Sequence, residues 1–256
     1  GKLLCAQDDE GTSWIAVRSS KVVPQKVELP HEIMYIYNFA FTDTMSAEGT
    51  YEVNWNDLYM LQGLGMGAFI ESHISGTIQL GTEDGFGFTS IGDGCMNDCR
   101  YITAVDIQAP LSYLGENSFS GCKNLKQVHI ADTSFFKCGI YAGIFDGCDN
   151  LGNLIFDDYE APQLVIYGNM SFSFNSEWTQ EEEEAKLHIT IPDGAEQNYI
   201  KEWRYGFAGH SGGYTGSRYL DMWNSTQMDM VDWVNYIFPK DEDVDKKVKE
   251  LILANE

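Results

Sequence analysis

LGENSFSGCKNLKQVHI (residues 114–130) and IYAGIFDGCDNLGNLIF (140–156) align on a shared cysteine, and their agreement decides the fold. Cys99, Cys122 and Cys148 lie 23 and 26 residues apart, a spacing typical of repeat architectures. Eight residues before each stands an aliphatic: Ile91, Leu114 and Ile140. Three before come Met96, Phe119 and Phe145, and three after come Ile102, Leu125 and Leu151. Six and eight after come Val105/Ile107, Val128/Ile130 and Leu154/Phe156. The template continues upstream with a small polar residue replacing cysteine. Leu64, Phe69, Ser72, Ile78 and Leu80 fit it, and Ile36, Phe41 and Thr44 fit its first half. Val53/Trp55 and Val27/Leu29 are expected as the strand pairs of two earlier units.

Two periods coexist in each unit. The pair spaced by two is an inward-facing strand dipeptide. The stretch before it, exemplified by Leu114, Phe119, Cys122 and Leu125, has the spacing of a short helical or irregular turn. Neither segment buries its apolar face alone, so successive units must stack. The expected fold is an α+β repeat solenoid with one continuous β-sheet face. Residues 44, 72, 99, 122 and 148 form its inward ladder.

These stretches resemble BspA-type leucine-rich repeats, as do YIYNFAFTD and LGMGAFIES around Ala40-Phe41 and Ala68-Phe69. LHITIPDGAEQNYIKEW (187–203) is similar to that family's closing strand and helix. The resemblance spans roughly residues 27–208. It implies irregular leucine-rich repeats used as bacterial surface modules. Insertions at 45–52, 81–88 and 167–186 depart from the family pattern.

Three regions are expected: an N-terminal β-hairpin cap (1–26), the solenoid (27–210) and a C-terminal helical cap or docking segment (211–256). The hairpin follows from alternation around Asp8-Asp9-Glu10-Gly11. The helices follow from the spacing of Met230, Val234 and Ile237, then Val244, Val248, Leu251 and Ile252. With 39 acidic and 16 basic residues, the net charge of −23 disfavours nucleic acid and anionic membrane surfaces as partners. No apolar run is long enough to span a bilayer. Gly1-Lys2-Leu3-Leu4 reads as a trimmed start, so a secreted or cell-surface protein that has lost its signal peptide is expected.

Motifs for chemistry are lacking. Three cysteines share one repeat position and read as reduced core thiols, although a disulfide between adjacent rungs is geometrically allowed. Cys95 and Cys99 have no second pair for zinc. His31, His73, His129, His188 and His210 form no ligand pair. Asp241, Asp243 and Asp245 start like a calcium loop, but Lys246 and Ile252 occupy the positions that require Gly and Glu. Glu181 to Glu184 read as a solvated run. No catalytic residue, metal or cofactor is therefore expected.

The alignment does locate an outer face. The residue between each inward pair points out of the sheet, giving the row Glu28, Asn54, Gln79, Asp106, His129, Ile155 and Thr190. A second row holds Gly81, Gln108, Ala131 and Asp157. From these, Gln79, Asp106, Gln108, His129, Ile155 and Thr190 form the expected ligand-binding set. Asp106 and His129 should be neighbours across a rung, with no nucleophile beside them. The expected function is a non-catalytic extracellular scaffold, a monomer that binds a protein or mediates adhesion. The alternative is a glycan-binding accessory protein of a gut bacterium, suggested by Phe172, Phe174 and Trp178. A third is a hydrolase with an unrecognised site.

Overall fold

The computed structural model describes residues 3–7, 14–81, 90–131, 139–141, 143–165, 182, 186–199 and 223–224. They form a β-solenoid whose walls contain two sheets, not the single sheet expected. The first has eight strands in chain order: Leu3–Gln7, Trp14–Ser19, Ile33–Ile36, Gly63–Leu64, Ser90–Ile91, Tyr113–Leu114, Gly139–Tyr141 and Gln163–Val165. The second has six: Ser75–Leu80, Tyr101–Ile107, Gln127–Ile130, Asn153–Phe156, His188–Thr190 and Trp223–Asn224. Earlier rungs contribute two short parallel pairs, Val22–Val23 with Met45–Ser46 and Lys26–Val27 with Glu52–Val53. Spatial order follows chain order in both sheets, as stacked repeats require. Within them only Leu3–Gln7 pairs antiparallel, against Trp14–Ser19, which itself pairs parallel with Ile33–Ile36.

The first sheet is missed by sequence reasoning because, past Ile33–Ile36, it is built from strands of only two or three residues. Leu64, Ile91 and Leu114 were expected to open the turn segment; they lie in register on the first sheet instead. Strands of two residues carry no alternation that a sequence can display.

The helical component of the α+β expectation does not hold within the rungs. Two positions in each of five successive rungs adopt left-handed backbone. One lies two residues before the bulky core residue: Phe39, Gly67, Gly94, Asn117 and Gly143, with φ of 59°, 58°, 57°, 54° and 71°. The other immediately precedes the ladder residue: Asp43, Glu71, Asp98, Gly121 and Gly147, with φ of 51°, 57°, 57°, 75° and 70°. Left-handed residues four apart interrupt any right-handed helix. Alternate N–H groups instead reach the next rung, Phe69 to the Cys95 carbonyl at 2.7 Å and Glu71 to the Asn97 carbonyl at 2.8 Å. The intervening groups close tight turns, such as Ser72 N–H to the Phe69 carbonyl at 2.9 Å. The result is a third wall made of stacked turns. Among the described residues, helix is confined to the 3-10 turn Trp55–Asp57, positions 182 and 186, and residues 196–199. Trp55, expected in a strand pair with Val53, begins that turn.

The core follows the repeat template. Ile78/Leu80, Val105/Ile107, Val128/Ile130 and Leu154/Phe156 are buried, as are Phe41, Phe69, Met96, Phe119 and Phe145. Rings stack along the axis: Phe41 on Phe69 at 5.0 Å and Phe119 on Phe145 at 5.7 Å. Thr44, Ser72, Cys99, Cys122 and Cys148 form a buried ladder. The ladder also donates hydrogen bonds. Cys99, Cys122 and Cys148 give their S–H to the carbonyls of Phe69, Met96 and Phe119, at 2.9, 3.1 and 3.1 Å. In each case the acceptor lies on the preceding rung, three residues before its ladder residue. Serine and threonine recur at this position because they too are small donors. Burial pushes the Cys95, Cys99 and Cys122 thiols well above the usual range, so they remain S–H. Cys5, Cys95, Cys99, Cys122 and Cys148 are all free; Cys138 lies outside the described residues. So do the hairpin tip at 8–11 and the expected C-terminal helices, apart from the Trp223–Asn224 strand.

Candidate binding face

The strands of the six-stranded sheet pair with Gln79 opposite Asp106, Asp106 opposite His129, His129 opposite Ile155 and Ile155 opposite Thr190. This is the outer row expected from the alignment, and each member is half-buried. Glu28 and Asn54 stand apart from it, since the sheet starts at Ser75–Leu80. Asn54 turns its side-chain amide onto the backbone of Leu29, accepting from the N–H at 2.7 Å and donating to the carbonyl at 3.1 Å. A row not anticipated lies two residues earlier: Thr77, Ala104, Gln127, Asn153 and His188. Extending the alternation by one step would have found it.

Four side chains on this face are joined. Gln108 Nε2 donates to Asp106 Oδ1 at 2.6 Å. His129 places Nδ1 on Asp106 Oδ1 at 2.9 Å and Nε2 on Asp157 Oδ2 at 2.7 Å. A neutral imidazole has one N–H and satisfies one of these carboxylates, whereas the imidazolium satisfies both. Exposed pairs of this kind contribute only about 0–1 kcal/mol to stability. Their main consequence is orientation, because each side chain is held in one rotamer before any ligand arrives.

The same geometry disfavours an Asp–His catalytic pair. Such a pair needs a hydroxyl or thiol on the free ring nitrogen, and here Asp157 occupies it. Among the described residues, no group of three or more His, Cys, Asp or Glu side chains is arranged to hold a metal ion. Phe172, Phe174 and Trp178, on which the glycan reading rested, lie outside the described residues.

Residues 89–193 match the model of the BspA type leucine-rich repeat region in six copies. These rungs are BspA-type leucine-rich repeats. The inward pairs, ladder cysteines and outer-row residues that lie within 89–193 thus belong to repeats of this type. Among solved structures, the chain is similar to a leucine-rich repeat protein from Bacteroides ovatus. Their identity is 13%, with 75% of this chain and 71% of that chain covered and a TM-score of 0.30. No curated protein matches the chain. Among the described residues, no helix is long and apolar enough to cross a membrane.

Proposed function

We propose that this protein is a non-catalytic binding scaffold, acting as a monomer outside the cell or at its surface, which presents the outer face of the six-stranded sheet to a macromolecular partner. One observation carries the reading: Gln79, Asp106, His129, Ile155 and Thr190 stand opposite one another on successive strands. A flat, preorganised row of this kind loses little rotamer entropy on binding. The half-buried Ile155 among polar neighbours supplies an apolar contact. A protein partner with a flat complementary surface suits this face better than a small molecule, which needs a concave pocket.

The test compares immobilised wild type with an Asp106→Ala/His129→Ala/Ile155→Ala variant for components retained from mucosal extract. Quantitative mass spectrometry identifies the components, and thermal melting checks the fold. A component held by the wild type and lost from the folded variant supports the reading. Equal retention by both removes this face from the interaction, and no retention by either removes the scaffold reading itself.

A further inference from the structure

Away from the sheet face, three consecutive rungs meet in an open depression of about 260 Å³. Asp43, Glu71, His73, Asp98, Arg100 and Tyr101 line it. Its floor is the wall of stacked turns, and Tyr101 stands at the start of its strand in the six-stranded sheet. The depression ends where the ladder's preceding residue changes from acidic to Gly121, over which the Asp98 carboxylate lies: a Cβ there would come within 2.6 Å of Asp98 Oδ1.

The groups in the depression are differently committed. Asp43 accepts from Lys21 Nζ at 2.6 Å, and that bond holds its carboxyl below the usual range. Asp98 accepts from Arg100 Nη2 at 3.2 Å. Among the described residues, the Glu71 carboxylate between them has no ion pair or side-chain hydrogen bond. His73 Nδ1 lies 3.1 Å from the Gly49 carbonyl, which only accepts, so the ring donates there and leaves Nε2 facing outward as an acceptor in the neutral form. The His73 ring packs against Tyr101 at 4.8 Å, and Tyr101 is 41% exposed. The site thus offers an unengaged carboxylate, an imidazole nitrogen, a guanidinium edge and an aromatic surface.

From this set we infer a subsite for one neutral sugar ring of a glycan. Its hydroxyls donate to Glu71 and His73 Nε2 and accept from Arg100, while its apolar C–H face lies on Tyr101. Three carboxylates oppose an anionic sugar, and Lys21 and Arg100 oppose a second cation. The volume falls just below the range of about 300–1,000 Å³ for drug-sized ligands, which leaves room for a single ring. The carboxylates do not make a metal cage, since no group suited to an ion occurs among the described residues. The subsite shares no residue with the sheet face.

Saturation-transfer NMR on the full chain tests it with glucose, galactose, mannose and N-acetylglucosamine, with glucuronic acid and lysine methyl ester alongside. At least one neutral sugar is expected to bind. Glu71→Gln, which keeps the shape, is expected to weaken binding about tenfold through loss of a charged acceptor. Tyr101→Ala is expected to abolish it, and both side chains are exposed enough for thermal melting to stay unchanged. The proposal is overturned if no neutral sugar binds at tens of millimolar, or if both variants bind like the wild type. It is equally overturned if lysine methyl ester binds in preference, which would mark a basic peptide site. Loss of sugar binding in the sheet-face variant, with Glu71→Gln unaffected, would place the sugar elsewhere and also overturn it.

Discussion

The rungs before residue 82 and those from 90 to 157 share a backbone but not a vocabulary. In the earlier rungs the ladder is hydroxyl, Thr44 and Ser72, and the left-handed residue before it is acidic, Asp43 and Glu71. In the later rungs the ladder is thiol, and after Asp98 the left-handed residue is glycine, Gly121 and Gly147. The later rungs add Asn124 and Asn150, whose amides donate to the Arg100 and Lys123 carbonyls of the preceding rung at 2.7 Å each. Tyr101 occupies the equivalent place one rung earlier. The family match covers 89–193, although the same left-handed pair and inter-rung bonding already operate around Phe41 and Phe69. The repeat is thus a rule about backbone bonding and small donors, which more than one set of residues obeys.

If that equivalence is real, Phe69→Ala and Phe119→Ala should each destabilise by about 3–5 kcal/mol, because both rings are fully buried in the stack. Urea unfolding measures this, and a much smaller loss at Phe69 would break the comparison at its strongest point. Next in size, Cys122→Val should cost about 1–3 kcal/mol, by removing the thiol's bond to the Met96 carbonyl, which then keeps only the Cys99 N–H, and by crowding a packed ladder position. Cys122→Ser, which keeps a donor, should cost less. Ser72→Val should exceed Cys122→Val, since Ser72 also bonds the buried Tyr51 hydroxyl at 2.6 Å. A neutral Cys122→Val would reduce the ladder to packing alone.

Gly121→Ala should cost about 1–2 kcal/mol for left-handed backbone, plus the displacement of Asp98. A double variant with Asp98→Gly should recover only the second part, which a mutant cycle separates. Full recovery would mean that backbone strain is negligible here. The smallest effect is expected for Asn150→Ala, about 0.5–1.5 kcal/mol from one exposed amide bond. A larger loss would make the asparagine stack a main support of the later rungs.

The inward pairs were legible because burial sorts residues by a period of two that no other element of the unit shares. The Asp106–His129 neighbourhood was legible for the same reason, since register follows once the ladder is aligned. The engagement of His129 Nε2 by Asp157 was not, because it depends on a rotamer choice between adjacent rungs. The turn wall was only half visible. Gly121 and Gly147 hint at it, but Asp43, Glu71 and Asp98 adopt the same backbone with residues whose type does not announce it.

By itself, then, the sequence determined the repeat, its register and the residues that face inward, because hydrophobic spacing acts within one unit. The number of sheets, the donor ladder's acceptors and the depression at Glu71 and Tyr101 were decided only in the tertiary structure. Each depends on where one rung's backbone and side chains fall against the next, and that placement is set by stacking, which no single unit encodes.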